Sequence, residues 1–437
     1  MRRVTSRLGL GACATSAFIA ACGSGSSAPP AGSATASARP TSAPHHPLEF
    51  AVLLLSNPSS PTGPAPPEQV TILDPSGAKH GQAGFTAPLP PMVGDAGAVL
   101  QFPVVTAAGA AYYVDDQGNL TALHPDAPAS AAVAGFPFMG GRSQQEISIA
   151  VSPDGSQLEA MVLQLPAIMT NCQGPCGLEP GPLHNTLYAA QPGAPASKLA
   201  EGDIAQPSQN VPNVPRLFAW TAGGPVALDT APFGTQDGFP GFVFLGYGTA
   251  HFLNGSGQPA QPVGGTGCMV DDIAANGAVL CDTGVSQASG QFDVRSSDGT
   301  LAFSASPTHV GCSACQVQQV SNARLSPDAT RIALAVQESP PGSSAATSLR
   351  TLGEVLATGG AVTQLADGFQ PEGWLDGSTL IGTTDQSEVN PNGASTSCPT
   401  GANPGNSSLS IVRLANPTTA VPLHACGVFA GVVRAAS

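Results

Sequence analysis

Short apolar runs separated by turn residues dominate the chain from Leu48 onward. The runs are rich in Val, Ile and Leu, alternate with Gly, Pro, Asp and Asn, and hold no helical periodicity over any long stretch. This pattern predicts β-strands joined by tight turns. A body spanning 48–437 is long for a single sandwich, which favours a repeated unit. The sequence therefore predicts an all-β domain built from repeats.

The repeat is clearest in two segments. Residues 147–162 (ISIAVSPDGSQLEAMV) and 323–336 (ARLSPDATRIALAV) both indicate a strand, a tight turn and a second strand, and a further hairpin follows each. Proline presets φ, aspartate caps the local backbone and glycine accepts a positive φ. These properties predict structural turn residues, namely Pro153, Asp154, Gly155, Pro327 and Asp328.

Four strands per unit, repeated radially, predict the blades of a β-propeller. The first hairpin, 50–54 with 70–73, has no innermost strand of its own, whereas the C-terminal run 428–433 has no strands outside it. Pairing of these N- and C-terminal strands would close a ring of seven blades. Six blades is the alternative, in which the first hairpin only decorates the last blade. The other blades are expected to start near Val99, Ile147, Arg216, Cys268, Ala323 and Trp374.

The Ser-Pro-Asp-Gly turn before an apolar strand resembles the WD40-like (PD40-type) repeat of TolB-type bacterial propellers. The resemblance is closest at 147–162 and weaker at 323–336, where Ala329 replaces the glycine. It implies a propeller fold and a tendency to bind partners. It carries over no catalytic residue.

The N-terminal 47 residues differ from the body. Three arginines precede a short apolar stretch from Leu8 to Ala21, which predicts an export signal. Residues 19–22 (IAAC) resemble the lipobox of bacterial lipoproteins, in which the peptide is cut before the cysteine and the thiol carries a diacylglycerol. The resemblance implies a signal peptide at 1–21 and lipidation of Cys22, and hence a protein anchored to a membrane of the cell envelope on its extracytoplasmic side. Residues 22–47 are expected to form the lipidated cysteine and a disordered Gly/Ser/Ala/Pro tether, with the propeller at 48–437.

Eight cysteines remain once Cys13 in the signal and Cys22 are set aside. An even count in an exported chain predicts disulfides, and sequence order suggests four local pairs out of about 105 connectivities. Zinc is the alternative for the closely spaced pairs at 172–176 and 312–315, although no histidine pair accompanies them. The disulfide candidates are Cys172, Cys176, Cys268, Cys281, Cys312, Cys315, Cys398 and Cys426.

The charge of the chain excludes one class of partner. The formal net charge is −14, and no cluster of Lys or Arg follows the signal. A nucleic-acid-binding protein is expected to carry a basic patch or stripe. The sequence therefore argues against nucleic acid as a partner.

The search for catalytic chemistry is negative. No nucleophile elbow, phosphate-binding loop, HExxH motif or EF-hand loop occurs, and the eight histidines show no ligand spacing outside the tether. Asp271 and Asp272 suggest a paired-carboxylate site, but neighbours on a strand point to opposite faces and should not converge. Residues 115–119 (DDQGN) are expected to form a hairpin turn rather than a calcium loop. No catalytic residue, metal ligand or cofactor is predicted, and the chain is expected not to be an enzyme.

The long insertions suggest where function lies. If the strands of a blade are named a to d from the axis outward, the insertions at 57–68, 164–185, 337–348 and 385–407 all fall between strands b and c. Function usually lies on loops held by a rigid scaffold. We therefore expect a non-catalytic propeller that presents this face to an envelope protein or glycan. The alternative is a propeller hydrolase or lactonase with a divalent metal at the central channel, whose ligands would come from several inner strands without any local motif.

Overall fold

The computed structural model describes most of the propeller body. The described residues are 48–54, 67–88, 104–139, 145–164, 181–204, 214–230, 232–233, 243–244, 248–283, 290–307, 315–339, 350–384 and 407–434. The predicted signal peptide, Cys22 and the tether lie outside them, and so do Cys172, Cys176, Cys312 and Cys398. Residues 46–437 form one compact unit.

All regular secondary structure in these segments is β-strand, as the alternating runs predict. In the described part of the chain no helix is long and apolar enough to cross a membrane. The strands are β1 (Glu49–Leu54), β2 (Glu68–Leu73), β3 (Lys79–Phe85), β4 (Val104–Ala107), β5 (Ala110–Val114), β6 (Asn119–Leu123), β7 (Ala131–Gly135), β8 (Gln145–Val151), β9 (Leu158–Gln164), β10 (Leu183–Ala190), β11 (Ser197–Ile204), β12 (Val214–Thr221), β13 (Gly224–Thr230), β14 (Pro232–Phe233), β15 (Val243–Phe244), β16 (Thr249–Leu253), β17 (Pro259–Pro262), β18 (Met269–Ile273), β19 (Val279–Asp282), β20 (Phe292–Arg295), β21 (Leu301–Ala305), β22 (Gln316–Leu325), β23 (Arg331–Ser339), β24 (Arg350–Ala357), β25 (Val362–Asp367), β26 (Gln370–Trp374), β27 (Thr379–Thr383), β28 (Ser407–Arg413) and β29 (Asn416–Val433).

The strands form four-stranded antiparallel blades, which confirms the predicted propeller. Blade 2 is β4 to β7, blade 3 is β8 to β11, blade 4 is β12, β13, β16 and β17, blade 5 is β18 to β21, and blade 6 is β22 to β25. A two-stranded hairpin, β14 with β15, lies in the b–c connection of blade 4. Blades 7 and 1 share β29 in one continuous sheet, in the order β26-β27-β28-β29-β1-β2-β3.

The shared strand β29 joins the two ends of the body. Its first part pairs with β28 as strand d of blade 7, and its last part pairs with β1 as strand a of blade 1, from Glu49↔Val433 to Leu53↔Val428. This is the predicted pairing of N- and C-terminal strands, and with it the strands of the described residues form seven blades. Gly427 lies at the changeover with φ of 141°, and a Cβ there would lie 2.6 Å from the carbonyl oxygen of Leu53. Only glycine fits this junction without strain.

Apolar side chains fill the spaces between successive blades. Tyr112 and Phe136 of blade 2 pack with Ile149 and Leu158 of blade 3 in one buried cluster. Tyr113, on the opposite face of β5, packs with blade 1 and lies 4.7 Å from Phe85 between ring centroids. These aromatic residues therefore stabilise the packing of the blades, as expected from their type.

The Pro-Asp turns of blades 3 and 6 are held by hydrogen bonds to their aspartate side chains. In blade 3, Asp154 Oδ1 accepts hydrogen bonds from Ser152 Oγ at 2.6 Å and Ser156 N at 3.1 Å, while Gly155 has φ of 72°. In blade 6, Asp328 Oδ1 accepts from Ser326 Oγ at 2.6 Å, and Ala329 takes φ of 57°. Both turns connect strand a to strand b.

Candidate functional site

Strand order assigns each connection to one of two ends of the propeller. The b–c and d–a connections lie at one end, the loop-rich end, and the a–b and c–d turns lie at the other, the tight-turn end. The predicted long insertions fall between β1 and β2, β9 and β10, β23 and β24, and β27 and β28, which are all b–c connections. Most residues of these insertions lie outside the described part of the chain.

A β-bulge interrupts the innermost strand of blade 5 at Asp271. Val270 pairs with Cys281 and Asp272 pairs with Leu280, so Asp271 is the extra, unpaired residue. A bulge breaks the strict alternation of side chains and turns one of them to a new direction. The carboxyl groups of Asp271 and Asp272 both interact electrostatically with Arg324 on the inner strand of blade 6, and with each other. The two acids are therefore both under the influence of Arg324, although a regular strand would direct them to opposite faces.

Asp271, Asp272, Asp282 and Arg324 form what we term the carboxyl cluster, on strands a and b of blade 5 and strand a of blade 6. Burial raises the pKa of Asp271 to about 8, and the negative charge of Asp282 adds to the rise, while Arg324 opposes it. Asp271 is thus a carboxylic acid that keeps its proton at neutral pH. Such a group can donate a proton, which an ordinary aspartate cannot do at that pH.

Hydrogen bonds fix the other members of the carboxyl cluster. Asp272 Oδ2 accepts from Leu325 N at 2.8 Å and Oδ1 accepts from Ile273 N at 2.9 Å. Arg324 donates to two carbonyl oxygens, that of Ala323 at 3.0 Å and that of Glu372 at 3.2 Å. These bonds hold Asp272 and the guanidinium in place beside Asp271.

A disulfide braces the hairpin that carries Asp271 and Asp282. Cys268 and Cys281 are bonded, with Cα atoms 5.0 Å apart; Cys268 directly precedes β18, and Cys281 on β19 pairs with Val270 next to the bulge. They form one of the predicted local pairs. Cys315 and Cys426 are also disulfide-bonded, which excludes their thiols as zinc ligands.

The inner strands carry further charged groups. Arg216 Nη2 of blade 4 lies 3.9 Å from Glu146 Oε2 of blade 3, and both side chains are buried. Glu372 Oε2 of blade 7 accepts from Phe429 N of blade 1 at 2.9 Å. The metal-dependent hydrolase considered as the alternative required acids or histidines on the inner strands, and acids occur on the inner strands of blades 3, 5 and 7. Within the described residues, however, the group with metal-ligand spacing is not on the inner strands, where the alternative placed the metal. It consists of Glu49, His80 and Asp126, on blades 1 and 2.

That group is centred on His80 at the tight-turn end of blades 1 and 2. His80 Nδ1 lies 3.5 Å from Glu49 Oε1 and 3.2 Å from Asp126 Oδ1, and Nε2 lies 3.3 Å from Asp74 Oδ2. The hydrogen bond to Asp74 is the main reason that the pKa of His80 is raised. Partial burial raises the pKa of Asp74, but hydrogen bonds from Ser76, His80 and Ala78 outweigh it and lower that pKa to about 2. We term Glu49, Asp74, His80 and Asp126 the His80 cluster.

Sequence spacing could not have revealed the His80 cluster. Its members are scattered over more than seventy residues, and only the closure of blade 1 against blade 2 brings them together. By contrast, residues 115–119 form the predicted hairpin turn, in which Asp115 Oδ1 accepts from Asn119 N at 2.8 Å and Gln117 N at 2.9 Å.

Comparisons with known proteins identify similar folds at low identity. No family model and no curated protein is similar enough to match the chain. An oligogalacturonate lyase in complex with manganese is 10% identical, with a TM-score of 0.32, covering 84% of this chain and 77% of that one. A puromycin hydrolase is 13% identical, with a TM-score of 0.42, covering 86% and 52%. The WD40 domain of SCAP from fission yeast is 8% identical, with a TM-score of 0.30, covering 86% and 87%.

These similarities correct the expectation that the chain is not an enzyme. Alongside the lyase and the hydrolase, the similar structures include a dipeptidyl peptidase, an acylaminoacyl peptidase and prolyl endopeptidases. The chain spans about half the length of the hydrolase and these peptidases. At such identities the comparison supports the fold alone, but propellers of this type do occur in enzymes. The absence of a short catalytic motif was therefore not a valid reason to exclude catalysis, because a site in a propeller combines residues from separate blades.

Proposed function

We propose that the chain is a propeller hydrolase in which the carboxyl cluster carries out acid–base chemistry. The observation that carries the proposal is Asp271, a carboxylic acid on strand a of blade 5 with a pKa of about 8, which interacts with the negative charge of Asp282 on the adjacent strand b. Two carboxyl groups whose environments separate their protonation states are suited to complementary acid and base roles. In the proposed reaction, Asp282 accepts a proton from water as it attacks an ester or lactone carbonyl. Asp271 donates its proton to the leaving alcohol oxygen.

The rest of the cluster supports this assignment. Arg324 and Asp272 are fixed by backbone hydrogen bonds, and the Cys268–Cys281 disulfide holds the two strands that carry the acid and the base. Positioned donors and acceptors on rigid strands are what acid–base catalysis requires. The proposal differs from the metal-dependent hydrolase considered from the sequence, because a pair of carboxyl groups takes the role of the central metal.

The test is hydrolysis of a panel of small chromogenic esters and lactones by the purified protein. Asp271→Asn keeps the shape of the side chain but has no proton to give, so we expect the rate to fall about a hundredfold or more. Asp298→Asn, on an exposed turn of the same blade, is the matched control and should retain the rate. A wild-type protein inert on the whole panel, or full activity in Asp271→Asn, would contradict the proposal.

A second role, recognition of an envelope protein or glycan, is favoured by the asymmetry of the connections. The long b–c insertions share the loop-rich end, whereas the a–b and c–d connections within the described residues are short turns. Cross-linking and capture with the tagged protein, beside a variant lacking 386–407, tests this role. A partner that is captured only by the full protein would support it.

We also propose that the protein acts outside the cytoplasm, anchored to a membrane through lipid on Cys22. The support is the basic, apolar and IAAC sequence that precedes the tether. Two acyl chains are enough for stable membrane retention. Membrane fractionation of the wild type and of Cys22→Ser is the test, and equal membrane retention of both would overturn the assignment.

A further inference from the structure

The His80 cluster presents a mixed set of metal-ligating atoms. Glu49 Oε1, His80 Nδ1 and Asp126 Oδ1 all lie within 4.8 Å of one another. Glu49 is almost buried, His80 is about one-fifth exposed, and Asp126 is largely exposed. The open side at Asp126 leaves an approach from solvent and room for water ligands.

The spacing of these atoms suits a small divalent ion. Zinc binds imidazole nitrogen and carboxylate oxygen at about 2.0–2.1 Å, so neighbouring ligands of a tetrahedral site lie about 3.3–3.4 Å apart. The separations from His80 Nδ1 are 3.5 Å to Glu49 and 3.2 Å to Asp126. We infer that Glu49, His80 and Asp126 bind one divalent transition-metal ion, with Zn²⁺ or Mn²⁺ matching the nitrogen-and-oxygen donor set.

Asp74 is placed to orient the imidazole ring of His80. In the tautomer with hydrogen on Nε2, that nitrogen donates to Asp74 Oδ2 at 3.3 Å, and the lone pair of Nδ1 faces Glu49 and Asp126. Ser76 N and Ala78 N hold the carboxylate of Asp74 in turn, at 2.8 and 3.0 Å. A metal-binding histidine usually donates its second ring N–H to such a carboxylate, which fixes the ring for the ion.

The ion would link blade 1, in which the N- and C-terminal strands pair, to blade 2. Glu49 opens β1 and pairs with Val433 at the end of β29, whereas Asp126 belongs to the c–d turn of blade 2. A bond from both carboxylates to one ion would tie blade 1, which is assembled from both ends of the body, to its neighbour. A ligand that binds only the folded state stabilises that state. The inferred site is therefore structural, and it is independent of the carboxyl cluster.

The experiment is titration of the metal-free protein with Zn²⁺ and, separately, Mn²⁺, with ion uptake measured by calorimetry and Tm by thermal unfolding. All variants carry His45→Gln and His46→Gln, which remove the histidine pair of the tether. We expect one ion per chain with a rise in Tm. The affinity for the ion should fall at least a hundredfold in His80→Gln. In Asp74→Asn the affinity should fall about 10–100-fold, with the stoichiometry retained.

Two further variants separate ligation from folding. Asp126→Asn should fold normally, because residue 126 is exposed and has φ of 55°, a conformation that asparagine adopts readily, yet it should bind the ion more weakly. His184→Gln removes a histidine beside Asp203 on blade 3 and should leave uptake unchanged. The inference would be overturned if the starting protein showed no saturable binding of the ion. It would also be overturned if His80→Gln and Asp126→Asn bound the ion as tightly as the starting protein does.

Discussion

The acidic residues of the tight turns and the acidic residues buried within the blades have pKa values shifted in opposite directions. Hydrogen bonds from the Ser152 hydroxyl and from Ser156 lower the pKa of Asp154 to about 2. Burial raises the pKa of Asp271 to about 8 and that of Glu159, on strand b of blade 3, to about 7. At neutral pH the carboxyl group of Asp154 is thus ionised, whereas that of Asp271 is mostly protonated and that of Glu159 is about half protonated.

The difference separates structure from chemistry. A turn aspartate has several hydrogen-bond donors and needs its charge to accept from them. An interior carboxyl group that lacks donors has a raised pKa, which lowers folding stability at neutral pH relative to acid pH, whatever role the group has. Asp271 has a charged neighbour and a place in the carboxyl cluster, whereas Glu159 Oε2 has no hydrogen-bond partner. The comparison therefore marks Asp271 for function and Glu159 for its effect on stability.

The largest predicted effect is on the pH dependence of hydrolysis. If Asp271 is the acid, it must be protonated to act, so kcat/KM should fall about tenfold for each pH unit above about 8. Initial rates on an ester substrate, measured from pH 6 to 10 with unfolding monitored in parallel, provide the check. A rate that stays flat to pH 10 would break the contrast between the two kinds of acid.

Replacement of Glu159 with glutamine sharpens the same contrast through stability. The folded-state pKa of Glu159 lies above its ordinary value of 4.5, so its contribution to stability is complete below pH 4.5 and declines as the pH rises to about 7. Glutamine mimics the protonated acid, and Glu159→Gln should raise the free energy of unfolding by up to about 3 kcal/mol at pH 8. At pH 4 the two proteins should be nearly equal. Urea unfolding at both pH values measures this, and a gain of the same size at pH 4 would assign it to packing instead.

The closure strand supplies the next prediction. Gly427→Ala would place a Cβ 2.6 Å from the carbonyl oxygen of Leu53, at φ of 141°. We expect the free energy of unfolding to fall by about 2–3 kcal/mol, because side chains other than glycine are strained there. Gly202→Ala, on an outer strand with open space around it, is the control for loss of a glycine. Equal unfolding midpoints for both variants would mean that the junction can relax.

Much of the fold could be predicted from the sequence, because strands and turns depend on local residue types. The alternating runs and the turn at 152–156 predict blades, and the two incomplete ends, at 50–73 and 428–433, predict closure. Strand β3 and the two-stranded hairpin in blade 4 were not predicted, because their residues follow no clear alternation. The inner strand of blade 6 also begins at Gln316, several residues before the predicted start.

The candidate sites could not be predicted, because both depend on relations between blades. Regular alternation would direct Asp271 and Asp272 to opposite faces, and the bulge in the pairing of β18 with β19 interrupts that alternation. The groups that act on the pKa of Asp271 include Arg324, more than fifty residues away, which opposes the rise caused by burial. A short sequence motif records neighbours in the chain, whereas these groups become neighbours only in the ring.

The two Ser-Pro-Asp turns give the smallest predicted effect. Gly155 and Ala329 occupy equivalent positions with φ of 72° and 57°, so alanine already carries the strain of a left-handed backbone in blade 6. Ala329→Gly should relieve about 1–2 kcal/mol of strain and lose part of it to the greater freedom of glycine in the unfolded chain, for a net gain of about 0.5–1 kcal/mol. Gly155→Ala should destabilise instead, because the added Cβ would lie 2.9 Å from Ala108 Cβ and 3.0 Å from the Tyr112 hydroxyl. Urea unfolding of both variants measures the difference, and a loss of stability in Ala329→Gly would show that the blade 6 turn depends on the alanine side chain.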